Sequence, residues 1–134
     1  LAEETGYGER VIFTGKLPRN DLGTVYATLD IFLFPSTTDT QGLVVHEAAL
    51  AGCPLVLVDK GLSEVIIDGE NGFFANENGL SIARKSAEIL DDPALKARFA
   101  KRSCELAQNY SETKQVGKQI ALYKTLLEEE HFPL

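Results

Sequence analysis

The residues best suited to chemistry fall in one stretch, Pro35-Ser36-Thr37-Thr38-Asp39-Thr40-Gln41-Gly42-Leu43-Val44-Val45-His46-Glu47-Ala48. Two carboxylates, Asp39 and Glu47, stand eight positions apart with Gly42 between them. A glycine lets a ligand approach the backbone closely. If a helix starts at Gly42, the N–H groups near Gly42 and Leu43 point out of its end. They have no partner inside the helix and carry partial positive charge. Binding an anion such as phosphate is the chemistry that such a start supports. Glu47 lies within an apolar run, Leu43 to Leu50. Its carboxylate therefore belongs either to a solvent stripe or to a binding cleft. His46 precedes it, and a lone histidine on a helix is usually a surface or core residue. Cys53 and Cys104 are the only cysteines, and His46 and His131 the only histidines. That inventory gives no structural zinc set, and no metal is expected. The two cysteines read as packing thiols in a reducing compartment.

These residues need elements to position them. Val11 to Gly15 reads as a strand stopped by glycine. Asn20 and Asp21 offer a helix cap, with Leu22, Val25, Tyr26 and Leu29 following at helical spacing. Ile31-Phe32-Leu33-Phe34 is an apolar strand stopped by Pro35. A helix is expected from Gly42 to Ala51, a strand over Pro54–Val58, and a short helix from Gly61 to Ile67. A turn at 68–72 leads to a short strand, Gly72–Ala75. From Asn78 the chain reads as helical, with Leu80, Ala83, Ala87 and Leu90 as one stripe. Pro93 opens the next helix after Asp91 and Asp92. A last helix opens at Ser111, with Val116, Ile120, Tyr123 and Leu127 on one face. Strands alternating with helices predict an α/β, Rossmann-like parallel sheet, and continuous apolar strands predict helices on both faces. The anion-ready loop then joins the carboxyl end of a strand to a helix, which is where open α/β sheets bind ligands.

Composition narrows the function. The chain has 134 residues and a formal net charge of −7, with 44% hydrophobic and 25% charged residues. Nucleic-acid binders carry a basic field, so no nucleic-acid partner is expected. No apolar run reaches the roughly 18–20 residues that a membrane span needs. The start, Leu-Ala-Glu-Glu, lacks the basic region of a signal peptide, so a cytoplasmic location is expected. With no methionine in the chain, the sequence reads as a piece of something longer. Lys96, Arg98, Lys101 and Arg102 form a basic cluster. It reads first as a solvated helix face, with peripheral contact to an anionic membrane, at its inner face, as the other reading.

Several motifs in fixed order now add up. Asp39, Gly42, Glu47 and Ala48 are followed by Ala51-Gly52-Cys53-Pro54-Leu55-Val56. They are flanked by Val11-Ile12-Phe13-Thr14-Gly15, Asp30 to Ser36, Gly61 to Ile66 and Asp68-Gly69-Glu70-Asn71-Gly72. This arrangement resembles the C-terminal, donor-binding domain of retaining GT-B glycosyltransferases of the group 1, family 4-like kind. The likeness runs from about Leu1 to Tyr110. One position departs from the pattern: the first acid is normally Glu, and Asp39 is one methylene shorter. The loop Thr38-Asp39-Thr40-Gln41-Gly42 is also similar to that of some membrane-lipid glucosyltransferases, which hints at the acceptor.

The resemblance implies a role for each residue. Asp39 would be the catalytic-site acid and hold hydroxyls of the transferred hexose; the alternative is a loop aspartate that holds its own backbone. Backbone N–H groups around Gln41, Gly42 and Leu43 would meet the diphosphate and the sugar. Glu47 would accept hydrogen bonds from the ribose, and Gly15 and Lys16 would lie beside the base. The implied donor is a nucleotide-sugar, a UDP-sugar first of all, with no further cofactor. The acceptor, a glycan or lipid, would bind a preceding domain. The expected organisation is a partial Rossmann-like domain at 1–110 and a C-terminal helix at 111–134. Two strand-helix units of such a domain would precede Leu1, and in the sheet they would separate the strand at Val11–Thr14 from that at Ile31–Phe34. Alone, the chain is expected to be inactive. It should self-associate through unpaired strand edges or move its first strand beside the next. The alternative function is a non-catalytic nucleotide or sugar-phosphate binding module of similar fold. A receiver-like signalling domain is disfavoured, because no acidic pair follows the first strand.

Overall fold

The computed structural model describes residues 2–39, 42–62 and 64–110, together with residues 117, 120, 121, 124 and 125. After two single-turn 3-10 helices at Glu3–Thr5 and Gly8–Arg10, its elements in order are α1 (Arg19–Ala27), β1 (Phe32–Phe34), α2 (Leu43–Leu50), β2 (Leu55–Leu57), β3 (Gly72–Phe74), α3 (Gly79–Leu90) and α4 (Pro93–Asn109). The strands form a parallel sheet in the order β1-β2-β3. Phe32 lies opposite Leu55, and Leu55 opposite Gly72. A Cβ at Gly72 would collide with the Leu55 carbonyl oxygen, so only glycine allows β3 this close.

The central strand β2 is buried at all three positions. Alternation sends Leu55 and Leu57 to one face and Val56 to the other. On the first face they pack with Val45, Ala48 and Ala49 of α2 and with Leu106 and Ala107 of α4. On the second, Val56 packs with Ile89 of α3 and Phe99 of α4. Helix α4 thus begins on one face of the sheet and ends on the other. Its start follows the sequence signal: Asp92 Oδ1 accepts the N–H groups of Ala94 and Leu95, both at 3.0 Å, and Pro93 occupies the first turn.

Four expectations need correction. Residues 11–14 are not a strand. Val11 has an extended backbone, but the segment pairs with nothing in the sheet. Ile12 and Phe13 are each 84% exposed. A β-rich sequence becomes a strand only when a partner is present. Nor has the segment moved beside β1, whose one partner among the described residues is β2. Second, α1 starts directly after Pro18, whose carbonyl accepts the Asp21 N–H at 3.0 Å. Asn20 and Asp21 lie inside its first turn and do not cap it. Third, the described residues of 61–67 form turns at 61–62 and 64–65, not the expected helix. The buried side chain of Asn71 takes the backbone groups that a helix would use. It accepts the Ile67 N–H at 2.8 Å and donates to the Val65 carbonyl at 2.9 Å. Fourth, α3 is rotated from the expected stripe. It buries Ser86 and Ile89, while Leu80 is 63% and Leu90 44% exposed. Ser86 can face inward because its hydroxyl donates to the Ile82 carbonyl at 2.8 Å. The face expected on Val116, Tyr123 and Leu127 lies outside the described residues.

Candidate functional site

Irregular segments leave the carboxyl ends of the three strands at 35–39, 58–62 and 75–78. Gly42 precedes α2 with φ +56°, ψ +30°. This left-handed conformation favours glycine, and space demands glycine too. A Cβ there would lie 3.1 Å from both Leu62 Cγ and the Leu62 carbonyl oxygen. The loop after β2 therefore presses on the start of α2, and Gly42 is buried. The Gly42 carbonyl accepts from Val45 N at 2.9 Å and His46 N at 3.3 Å. The N–H groups of Leu43 and Val44, in the first turn, have no acceptor within the helix.

Asp39 is brought to this same point. Its Oδ1 accepts the Gly42 N–H at 2.9 Å. A carboxylate at a helix start is electrostatically favourable, so Asp39 acts as a cap in the structure as it stands. The Gly42 N–H, expected to meet a diphosphate, is engaged by Asp39 here. Gln41 lies outside the described residues. Leu43 is 63% exposed at the helix start.

Glu47 is exposed on α2, more than one turn further on. Its Oε2 accepts the Tyr26 hydroxyl at 3.1 Å. Between α1 and α2 lies a groove of about 360 Å³ lined by Arg19, Leu22, Gly23, Tyr26, Glu47 and Leu50, among others. Burial, then the hydrogen bond to Glu47 and the charge of Glu47, push the Tyr26 hydroxyl above its ordinary value. In the sequence Arg19 carries no local signal, and Tyr26 falls on the apolar stripe of a helix; the signal at Tyr26 is its polar tip, since a half-buried tyrosine hydroxyl seeks a partner.

Gly15, with φ +64°, and Lys16 sit on an exposed loop ahead of α1. No hydrogen bond or ion pair joins Lys16 to Glu47 among the described residues. His46 is structural: its Nδ1 lies 3.2 Å from the Gly42 carbonyl oxygen, and its ring meets Tyr110 edge-on at 5.7 Å. Cys53 is buried, and burial raises its thiol above the usual value. In the basic cluster, Lys96 pairs with Asp30 at 2.7 Å, and Arg102 with Glu70 at 2.8 Å and Glu105 at 3.3 Å. Such exposed, internally paired charges are what a solvated helix face looks like. No group of three or more metal-ligating side chains occurs among the described residues. No helix among them is long and apolar enough to cross a membrane.

A parallel α/β sheet with a glycine-started helix and acidic side chains at its carboxyl edge defines a class of ligand-binding domain. Comparison with known proteins makes the class specific. The family model described as glycosyl transferases group 1 matches residues 1–105, and the chain belongs to that family, with the fold of its C-terminal domain. D-inositol 3-phosphate glycosyltransferase of Corynebacterium efficiens is 33% identical over 113 residues, which cover 83% of this chain. The match spans only 27% of that relative's length. The C-terminal domain of a group 1 glycosyl transferase from Francisella tularensis superposes with TM-score 0.73 at 26% identity. That match covers 81% of this chain and 57% of the other. Anabaena HepE, solved in complex with UDP, superposes with TM-score 0.81 at 26% identity, covering 92% of this chain and 34% of the other.

Proposed function

We propose that this chain forms the donor-binding part of a retaining hexosyltransferase that takes its sugar from a nucleotide diphosphate sugar. The observation that carries the reading is the start of α2. A buried Gly42 in a left-handed conformation opens the helix at the carboxyl edge of the sheet, Asp39 stands against it, and Glu47 follows on an exposed turn. The UDP complex of HepE, a structure of the same fold, supports a uridine nucleotide as the donor base.

In this reading the diphosphate sits at the start of α2, where the N–H groups of Leu43 and Val44 and the helix dipole meet its charge. Stabilising the departing diphosphate is an electrostatic task, and preorganised N–H donors perform it without reorganising. Asp39 exchanges its bond to Gly42 for hydroxyls of the hexose, which frees a third N–H for the ligand. Glu47 accepts from the ribose, and the loop at Gly15 and Lys16 faces the base. The acceptor, a glycan or lipid, is held by parts of the protein outside this chain. The location that suits such a transferase is cytoplasmic, at the inner face of the membrane when the acceptor is a lipid.

Calorimetric titration with UDP, GDP and ADP tests this reading. The expected result is saturable binding of UDP that inorganic pyrophosphate weakens by competition. Failure of all three nucleotides to bind would overturn it and leave the α2 start as a structural cap.

A further inference from the structure

Glu47 cannot by itself hold a ribose in one place. A glutamate side chain on an exposed helix turn has three rotatable bonds, and freezing them costs conformational entropy at the moment of binding. The structure shows what limits that freedom. The Tyr26 hydroxyl donates to Oε2 of Glu47 at 3.1 Å, and it is the carboxylate's one hydrogen-bond partner among the described residues. A carboxylate accepts at both oxygens, with about four lone-pair positions in all. One bond from Tyr26 therefore leaves Oε1 and part of Oε2 for a ligand, while restricting where Oε2 can sit.

Tyr26 is itself fixed. Its ring meets Phe32 of β1 edge-on, with centroids 5.8 Å apart. Phe32 in turn stacks on Phe34 at 6.0 Å. The Cys53 thiol, buried at the turn between α2 and β2, donates to the Tyr26 backbone carbonyl at 3.0 Å. The hydroxyl is thus held by the first strand and by the turn after α2. Both belong to the same core that places Glu47.

We infer that Tyr26 is a positioning residue for nucleotide binding: it orients the Glu47 carboxylate toward the ribose hydroxyls of the donor. The inference rests on the donor-site reading of Glu47 and adds to it a residue on a different helix. Removing the hydroxyl while keeping the ring should leave the packing against Phe32 intact and release only the carboxylate. The loss should then appear only for ligands that have the hydroxyl Glu47 binds.

The test is calorimetric titration of wild type, Tyr26→Phe, Glu47→Ala and the double variant with UDP, 2′-deoxy-UDP and inorganic pyrophosphate. Glu47→Ala is expected to weaken UDP clearly. Tyr26→Phe should weaken UDP by about three- to tenfold, as expected for one hydrogen bond, with pyrophosphate unchanged and the effect on 2′-deoxy-UDP much reduced. Adding Tyr26→Phe to Glu47→Ala should cost nothing more. Thermal denaturation of Tyr26→Phe provides the folding control. If Glu47→Ala binds UDP as the wild type does, the donor-site reading falls, and this inference with it. If Glu47→Ala weakens UDP but Tyr26→Phe does not, or weakens all three ligands alike, the donor-site reading stands and the positioning role is overturned.

Discussion

Two segments of this chain have much the same β-forming character and opposite fates. Leu55-Val56-Leu57 is fully paired on both edges and buried on both faces. Val11-Ile12-Phe13-Thr14 is unpaired and exposed, with Ile12 and Phe13 at 84%. Local propensity does not separate them, since both are apolar and end in a polar or glycine turn. The difference is the neighbours. β2 has a strand on each side, helices above and below, and the buried glycine Gly72 that lets β3 approach. The segment at 11–14 has none of these among the described residues. A strand is therefore a property of the sheet that receives it, and the stability of this molecule is concentrated around β2.

The largest expected effect tests that concentration. Phe99 is fully buried, packs on Val56 and meets Phe73 edge-on at 5.1 Å. Phe99→Ala should destabilise the fold by about 3–5 kcal/mol, whereas Phe13→Ala should stay within about 0.5 kcal/mol. Urea denaturation followed by far-ultraviolet circular dichroism measures both. Equal losses would mean that 11–14 is packed in solution.

A smaller effect is expected at Asn71, which links the turns after β2 to α4. Its side chain bonds Ile67 N, Val65 O and Ser103 Oγ while fully buried. Asn71→Ala should cost about 2–3 kcal/mol, because buried partners are left unsatisfied. If the cost were under half of that, water must replace the amide, and amide exchange at Ile67 would show it. Smaller again is the cap of α4. Asp92→Ala removes the acceptor for Ala94 N and Leu95 N, and a loss of about 1 kcal/mol is expected by the same urea assay.

The smallest effect is a pH dependence. Burial raises the Cys53 thiol and the Tyr26 and Tyr110 hydroxyls above their ordinary values. For such groups the folded state holds its proton more tightly than the unfolded state. Their contribution is fully present below the unfolded value and is lost as pH rises through the raised folded value. Stability should therefore decline once pH passes about 9. Melting temperatures from pH 7 to 10.5 would check this, and Cys53→Ala should flatten the decline even though it leaves a small cavity.

Signals that act over three or four residues were legible in the sequence. Asp92-Pro93 marked a helix start, Gly42 marked another, and the apolar strands at 32–34 and 55–57 were found to within a residue. The parallel arrangement followed from their alternation with helices. Features that depend on a distant partner were not legible. The stretch before Asn71 carries helical spacing at Leu62, Val65 and Ile66, yet the Asn71 side chain takes the Val65 carbonyl and the Ile67 N–H. Helix α3 has two apolar stripes, and only packing against β2 and α4 chooses between them. The candidate site divides in the same way. Asp39, Gly42 and Glu47 could be read as a local pattern, but Tyr26 is 21 positions before Glu47, and its contribution appears only when α1 lies against α2.

The central claim is that the ligand-binding region is the start of α2, at the edge of the well-packed half. The most direct measurement is a UDP titration of the isotopically labelled protein, followed through backbone amide resonances. The account predicts saturable shifts at Gly42, Leu43, Val44 and Glu47, with smaller ones at Tyr26 and Lys16, and little change at Asn71 or Phe99. Shifts centred on Arg98, Lys101 and Arg102 of α4, with the Gly42–Glu47 amides unmoved, would contradict it.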